Sequence, residues 1–211
     1  MVKNNRYYAQ NAKSLGWGAE IFSLDTERIN LIKKFVVGKK VLDVGCGFGI
    51  YVDFLSLTGF ESTGVDFVSS FIANAKRSKK GYFIKASADN LPFKNEAFDT
   101  VLLFDILEHG DDTKLLQEAK RVCKDRVLVI VPMRVDEQLS SSGVIFRHYI
   151  DKSHLREYIK DDLEKLAKKC GLKVLYIENI HPLYNETIFL SLFKGPIILK
   201  KIVRKIIFFI L

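Results

Sequence analysis

Val41-Leu42-Asp43-Val44-Gly45-Cys46-Gly47-Phe48-Gly49 is the stretch that decides the fold. Val41, Leu42 and Val44 read as a short, buried parallel strand, interrupted by Asp43 near its carboxyl end. Gly45, Gly47 and Gly49 follow at alternate positions, where the missing Cβ lets the backbone take positive φ and pass close to a ligand. Ile50 to Leu57 reads as the helix leaving the turn, with its free N–H groups facing whatever lies above the strand. Strand, glycine turn and helix together predict a nucleotide-type site at the carboxyl edge of an open, doubly wound α/β sheet.

Spacing separates two cofactor classes. A dinucleotide fingerprint, Gly-x-Gly-x-x-Gly, counted from Gly45 would put its third glycine at position 50, which is Ile50. The chain instead carries acid-x-Gly-x-Gly-x-Gly. A second strand, Phe60 to Val65, ends at Asp66, about 20 residues after the turn, where a carboxylate holds a ribose diol. Phe67 follows and is positioned to cover an adenine ring. A third strand, Tyr82 to Ala86, runs into Ser87-Ala88-Asp89-Asn90-Leu91-Pro92-Phe93. The fourth, Phe98 to Phe104, is a solid apolar run ending at Asp105 and Ile106-Leu107-Glu108-His109. In a doubly wound order Asp105 stands beside the end of the first strand.

These motifs resemble the class I methyltransferases that use S-adenosylmethionine (SAM), in the small-molecule subgroup that includes the ubiquinone-methylating enzymes. The glycine turn resembles their motif I, and Phe104-Asp105-Ile106-Leu107-Glu108-His109, Glu118 and Arg121-Val122 fit the subgroup. The resemblance runs from about Val41 to Phe193 and is strongest from Val41 to Pro132. It implies a Rossmann-like, seven-stranded sheet of order 3-2-1-4-5-7-6 with strand 7 antiparallel, in a single domain. It implies SAM as cofactor, held by Asp43, Gly45, Cys46, Gly47 and Gly49 of the turn. Asp66 and Phe67 would serve the ribose and adenine, and Ala88, Asp89 and Asn90 the adenine edge, with Asp89 accepting from the amine. Phe104 and Asp105 would lie near the transferable methyl.

Arg126 to Val131 reads as the fifth strand. Met133 to Phe146 is a long polar segment, expected to be an active-site loop, and Phe146-Arg147-His148-Tyr149 returns toward the site. A helix over Asp161 to Cys170 stops at Gly171. Leu172 to Ile180 and Thr187 to Phe193 are the expected edge strands. Before the motif, Ile21 to Val37 has helical spacing. Residues 1–37 are read as a cap, with Tyr7, Tyr8 and Trp17 as lid candidates, residues 38–193 as the SAM-binding domain, and residues 194–211 as a separate helix.

The reaction expected is in-line transfer of the methyl group to a small-molecule or lipid-like acceptor, by proximity and exclusion of water. A hydroxyl acceptor also needs a base, and His148, Asp105, His109, Tyr149 and His154 are candidates, His148 first because it follows the polar segment. His109, His148, Asp151 and His154 contain no compact pair such as His-x-x-x-His, so the site is read without a metal. Alternatives on the same fold are an aminopropyltransferase using decarboxylated SAM and a non-catalytic docking module.

Composition narrows the partners. The chain of 211 residues suits one α/β domain, and its formal charge is +8. Every acid lies between Glu20 and Glu186, and the excess cations lie outside them, so residues 14–193 are formally neutral. That is not a nucleic-acid surface by net charge, and no Asn-Pro-Pro-Tyr follows the fourth strand. Cys46, Cys123 and Cys170 are odd in number and far apart, and Met1 to Lys13 is polar, which leads us to expect a reducing cytoplasm. From Pro196 on, Lys200, Lys201, Arg204 and Lys205 share one helical face, and Ile197, Ile198, Leu199, Ile202, Val203, Ile206 and Ile207 another. A basic amphipathic helix of this length is too short to span a bilayer. Its expected berth is the inner face of an anionic membrane, this domain, or a twin subunit in a homodimer.

Overall fold

A computed structural model describes residues 7–10, 24–132 and 151–178 of the chain. Five strands form one wholly parallel sheet: β1 (Lys40–Val44), β2 (Glu61–Asp66), β3 (Tyr82–Lys85), β4 (Phe98–Phe104) and β5 (Cys123–Ile130), in the order 3-2-1-4-5. The helices are α1 (Thr26–Phe35), α2 (Ile50–Leu57), α3 (Ser69–Ser78), α4 (Asp112–Val122) and α5 (Lys160–Lys169), with a 3-10 turn at Leu107–His109. The described residues up to Ile177 belong to one compact unit.

β1 is central: all four residues after Lys40 are buried, the carboxylate of Asp43 included. It pairs with β2 through Val41↔Ser62 to Val44↔Val65 and with β4 through Val41↔Thr100 to Val44↔Leu103. Asp99 clamps the start of that second pairing, its Oδ2 accepting the Lys39 and Lys40 N–H groups at 2.7 and 2.9 Å.

The period of two along each strand divides the core. Leu42, Val44, Val101 and Leu103 face Leu115, Leu116, Ala119 and Val122 of α4 and Leu166 of α5. Val41, Leu102 and Phe104 face Ile29 and Ile32 of α1 and Leu55 of α2. α1 begins where Asp25 accepts the Arg28 N–H at 2.9 Å, and α4 where Asp111 accepts that of Lys114 at 3.1 Å; both are side-chain caps of otherwise orphaned donors.

Most elements agree with the sequence reading to within a residue, and the larger departures have local causes. α1 is shorter than the predicted 21–37, because Asp25 caps it and Val36 leaves in an extended conformation. β5 starts at Cys123 rather than at Arg126, since Phe98↔Cys123 already pairs across a register shift. Residues 172–178 pair with no strand among the described residues, and 187–193 lie outside them, so the described sheet ends at β5. The order 3-2-1-4-5 is the doubly wound part of the expected topology. It puts the switch point between β1 and β4, where the crevice for a ligand opens at the strands' carboxyl ends.

Candidate active site

The glycine turn is tied to the neighbouring strand. The Gly45 and Cys46 N–H groups both donate to the Val65 carbonyl, at 2.8 and 3.0 Å, and Gly49 N–H closes the turn on Cys46 O at 2.8 Å. Gly45, Gly47 and Gly49 all have positive φ, at 78°, 52° and 76°. What a Cβ would meet separates their roles. At Gly45 it would lie 2.4 Å from Ile106 Cδ1, and at Gly49 2.4 Å from Phe83, so these two glycines serve packing. At Gly47 it would meet nothing within 4 Å, because that residue faces a cavity. Cys46 is buried beneath the turn, its thiol pushed up by burial and by Asp43.

The cavity has a volume of about 190 Å³, and Gly45, Gly47, Phe67, Ala88, Asp105 and His109 are among its walls. Asp66 stands in the wall, 8% exposed, with Oδ2 accepting Gly47 N–H at 3.0 Å and Oδ1 accepting Val68 N–H at 2.8 Å. It thus holds the turn and the start of α3 while its burial raises its pKa. Asp43 lies deeper, 3% exposed, and its Oδ2 has no hydrogen-bond partner among the described residues. Burial, then the Asp66 charge, push it up to about 7, against the pull of Arg28.

At the end of β3, Ala86 and Ala88 line the cavity and leave room for a ring. Asp89 does not line it. Its carboxylate accepts from Ser87 Oγ at 2.5 Å and pairs with Lys114 Nζ at 3.0 Å, which holds its pKa down. Asn90 is exposed, and its N–H turns back to Ser87 O at 3.2 Å. Phe104 is likewise set apart from the cavity: its parity in β4 turns it toward α1, where it meets Tyr51 at 5.4 Å and lies under Arg28.

Asp105 does reach the cavity. Its φ of 51° is a left-handed conformation, uncommon outside glycine. The carboxylate is 42% exposed and pairs with Arg28 Nη2 at 2.7 Å. His109 forms the next part of the wall, where Tyr8 packs on it edge-on at 5.9 Å and on Phe67 at 4.9 Å. Tyr8 thus stands in the cavity wall between the two rings. His109 Nδ1 lies 2.9 Å from Ser153 Oγ, which donates to Asp151 Oδ1 at 2.6 Å. Burial, then His154, lower the His109 pKa to about 4, leaving a neutral ring at pH 7. Glu108, which the sequence reading passed over, is wholly buried behind it, and burial with the Asp105 charge raises its pKa to about 8. His148, Tyr149 and Trp17 lie outside the described residues.

These walls suit SAM. The open position above Gly47, the buried carboxylate of Asp66, the ring of Phe67 and the small side chain of Ala88 all line the cavity.

Comparison with known proteins agrees. A family model described as a methyltransferase domain matches residues 42–131. The uncharacterized protein MJ0638 of Methanocaldococcus jannaschii is 30% identical over 186 residues, covering 84% of this chain and 74% of that one. The demethylmenaquinone methyltransferase of Thermotoga maritima is 31% identical over 137 residues, covering 61% of this chain, which spans 60% of that enzyme's length. A SAM-dependent methyltransferase structure from Archaeoglobus fulgidus shares the fold, with a TM-score of 0.61 at 20% identity over 88% of this chain and 89% of that one. The chain belongs to the class I SAM-dependent methyltransferases, and its cofactor is SAM.

Proposed function

We propose that this chain methylates a small, largely apolar acceptor, quinol-like or lipid-like, with SAM as donor. The observation that carries the acceptor class is the composition of the cavity wall, which Tyr8, Phe48, Phe67, Phe71 and Ile106 share with Asp105 and His109. Apolar surface with few polar groups is how sites hold such molecules. The quinone-methylating relative supports the same class.

SAM, when bound, supplies a methyl group already activated by its sulfonium. The chain has to bind, orient and keep water out. Gly47 and Asp66 would hold the cofactor, and Tyr8 and Phe67 would cover it. For a hydroxyl acceptor we assign proton acceptance to Asp105, held by Arg28. His109, also in the wall and with its Nδ1 engaged by Ser153, is the second candidate. His148 and Tyr149 remain the other candidates. We further propose that residues 194–211 rest on an anionic membrane, which would bring lipid-like acceptors to the cavity; a homodimer berth is the rival. Among the described residues no helix is long and apolar enough to cross a membrane.

The test is release of S-adenosylhomocysteine (SAH) from SAM in the presence of quinols, phenolic lipids or water-soluble amines. Turnover with the first two, lost in Asp105→Asn while SAH still binds, is expected. Turnover with amines alone overturns the acceptor class. Turnover with decarboxylated SAM in place of SAM supports the aminopropyltransferase reading. Pelleting with anionic vesicles, lost when the chain ends at Lys194, tests the tail; failure to pellet removes the membrane berth.

A further inference from the structure

The 3-10 turn after β4 and residues 151–155 close on each other, Leu155 N–H donating to the Glu108 carbonyl at 2.8 Å. Between them lie two carboxylates whose side chains are 0% exposed, Glu108 and Asp151. Both face one imidazole: His154 Nε2 is 3.9 Å from Glu108 Oε1 and 3.3 Å from Asp151 Oδ2. Neither carboxylate oxygen of Glu108 has a hydrogen-bond partner among the described residues. Buried carboxyl oxygens without a partner call for a proton or an ion, and Arg28 is engaged by Asp105 at 2.7 Å.

The second imidazole is oriented for coordination. A carboxylate only accepts, so Ser153 gives its proton to Asp151 Oδ1 and accepts from His109 Nδ1–H. That leaves the lone pair of His109 on Nε2. A ring held through its far nitrogen by a hydroxyl and a carboxylate is the usual support of a metal-binding histidine. Ligand atoms of Glu108, His109 and His154 all lie within 4.8 Å of one another. Two ligands each about 2.1 Å from one ion stand at most about 4.2 Å apart. Glu108 and His154 already meet that limit, and a small side-chain rotation brings the set within it.

We propose that Glu108, His109 and His154 bind a divalent transition-metal ion of the zinc class, with Ser153 and Asp151 orienting the His109 ligand. Two nitrogens and a carboxylate oxygen suit Zn²⁺, whereas Mg²⁺ prefers oxygen ligands and retained waters. The ion would sit behind the cavity wall that His109 forms and would join residues 151–154 to the end of β4.

The test is Zn²⁺ binding to the full chain after chelator stripping, measured by metal analysis and by competition with a chromophoric chelator. One Zn²⁺ per chain is expected, with affinity falling by at least the roughly 10–100-fold typical of support residues in His154→Ala and in Glu108→Gln. Ser153→Ala should fall within that range. Co²⁺ should give visible absorption bands that His154→Ala abolishes, and circular dichroism should show both ligand variants folded. Stoichiometry well below one, binding unchanged in the two ligand variants, or retention of Mg²⁺ in preference to Zn²⁺ overturns the proposal.

Discussion

Gly45 and Gly47 sit two residues apart in similar left-handed conformations, yet alanine at each should fail differently. Both substitutions carry the penalty of an L-residue at positive φ, about 1–2 kcal/mol. At Gly45 the new methyl also lands 2.4 Å from Ile106 Cδ1, inside a packed wall. Overpacking of that kind adds about 1–3 kcal/mol. Gly45→Ala should therefore lose about 2–5 kcal/mol, a fall in melting temperature of roughly 4–20 °C for a domain of this size. At Gly47 the methyl meets no protein atom within 4 Å, so only the backbone penalty applies. Gly47→Ala should melt only about 2–8 °C lower. It should nevertheless bind SAH at least about tenfold more weakly, since its Cβ enters the space where the cofactor approaches the turn. Thermal melts without ligand and titration calorimetry with SAH separate the two effects. If Gly47→Ala binds SAH as wild type does, the cofactor does not lie against this turn. If Gly45→Ala melts with the wild type, the contact with Ile106 is not limiting and the packing argument fails.

Three further outcomes follow from the site and its supports. Asp43, at about 7, is raised above the ~3.9 of an unfolded aspartate, so its contribution to stability is full below about pH 4 and lost as pH rises through 7. Asp43→Asn should gain melting temperature on wild type at about pH 8.5 and lose that advantage by about pH 5; a pH-independent gap would contradict the assignment. Tyr8→Ala removes the edge contacts to Phe67 and His109, which at about 0.5–1.5 kcal/mol should weaken SAH binding roughly 2–13-fold, while Tyr8→Phe keeps it. Unchanged calorimetric affinity in Tyr8→Ala would show that the ring is not part of the cofactor cover. Arg121 donates to Phe93 O at 2.7 Å and Leu91 O at 3.0 Å, and lysine cannot reproduce that fork. Discounted for solvent, Arg121→Lys should lose about 1–2 kcal/mol, or about 2–8 °C of melting temperature, and an unaltered melt would show these bonds to be replaceable by water.

What could be read from the chain in advance tracks how local each determinant is. β4 was legible to the residue because Val101-Leu102-Leu103-Phe104 is continuously apolar and Asp105 ends it. The first three residues of β5 were hidden because Lys124 and Asp125 are exposed and give no strand pattern. The glycine turn and Asp66 were legible because their spacing encodes the geometry. The resemblance gives Asp89 a place at the adenine edge, and no local pattern announces its pair with Lys114, 25 residues later. The side chain of Phe104 follows the period of two from Leu102 onto the α1 face. Glu108 gave only a faint signal, an acid directly after Ile106-Leu107, and its burial arises when residues 151–155 close over it. His154 and Asp151 could be named as candidates, but not brought to Glu108.

The sheet order has a consequence for how the chain responds to its cofactor. β1, β2 and β3 form one half of the described sheet, and β4 and β5 the other, and the strands of the two halves pair with each other along the seam between β1 and β4. The cavity straddles that seam: Gly47, Asp66 and Ala88 come from the first half, and Asp105 and His109 from the second. A molecule that fills it acts as a staple. Separation of the two halves then requires release of the ligand first, so SAH should slow amide hydrogen exchange at Val41 to Val44 and at Val101 to Leu103, strands buried beneath the site, by the factor its own binding sets.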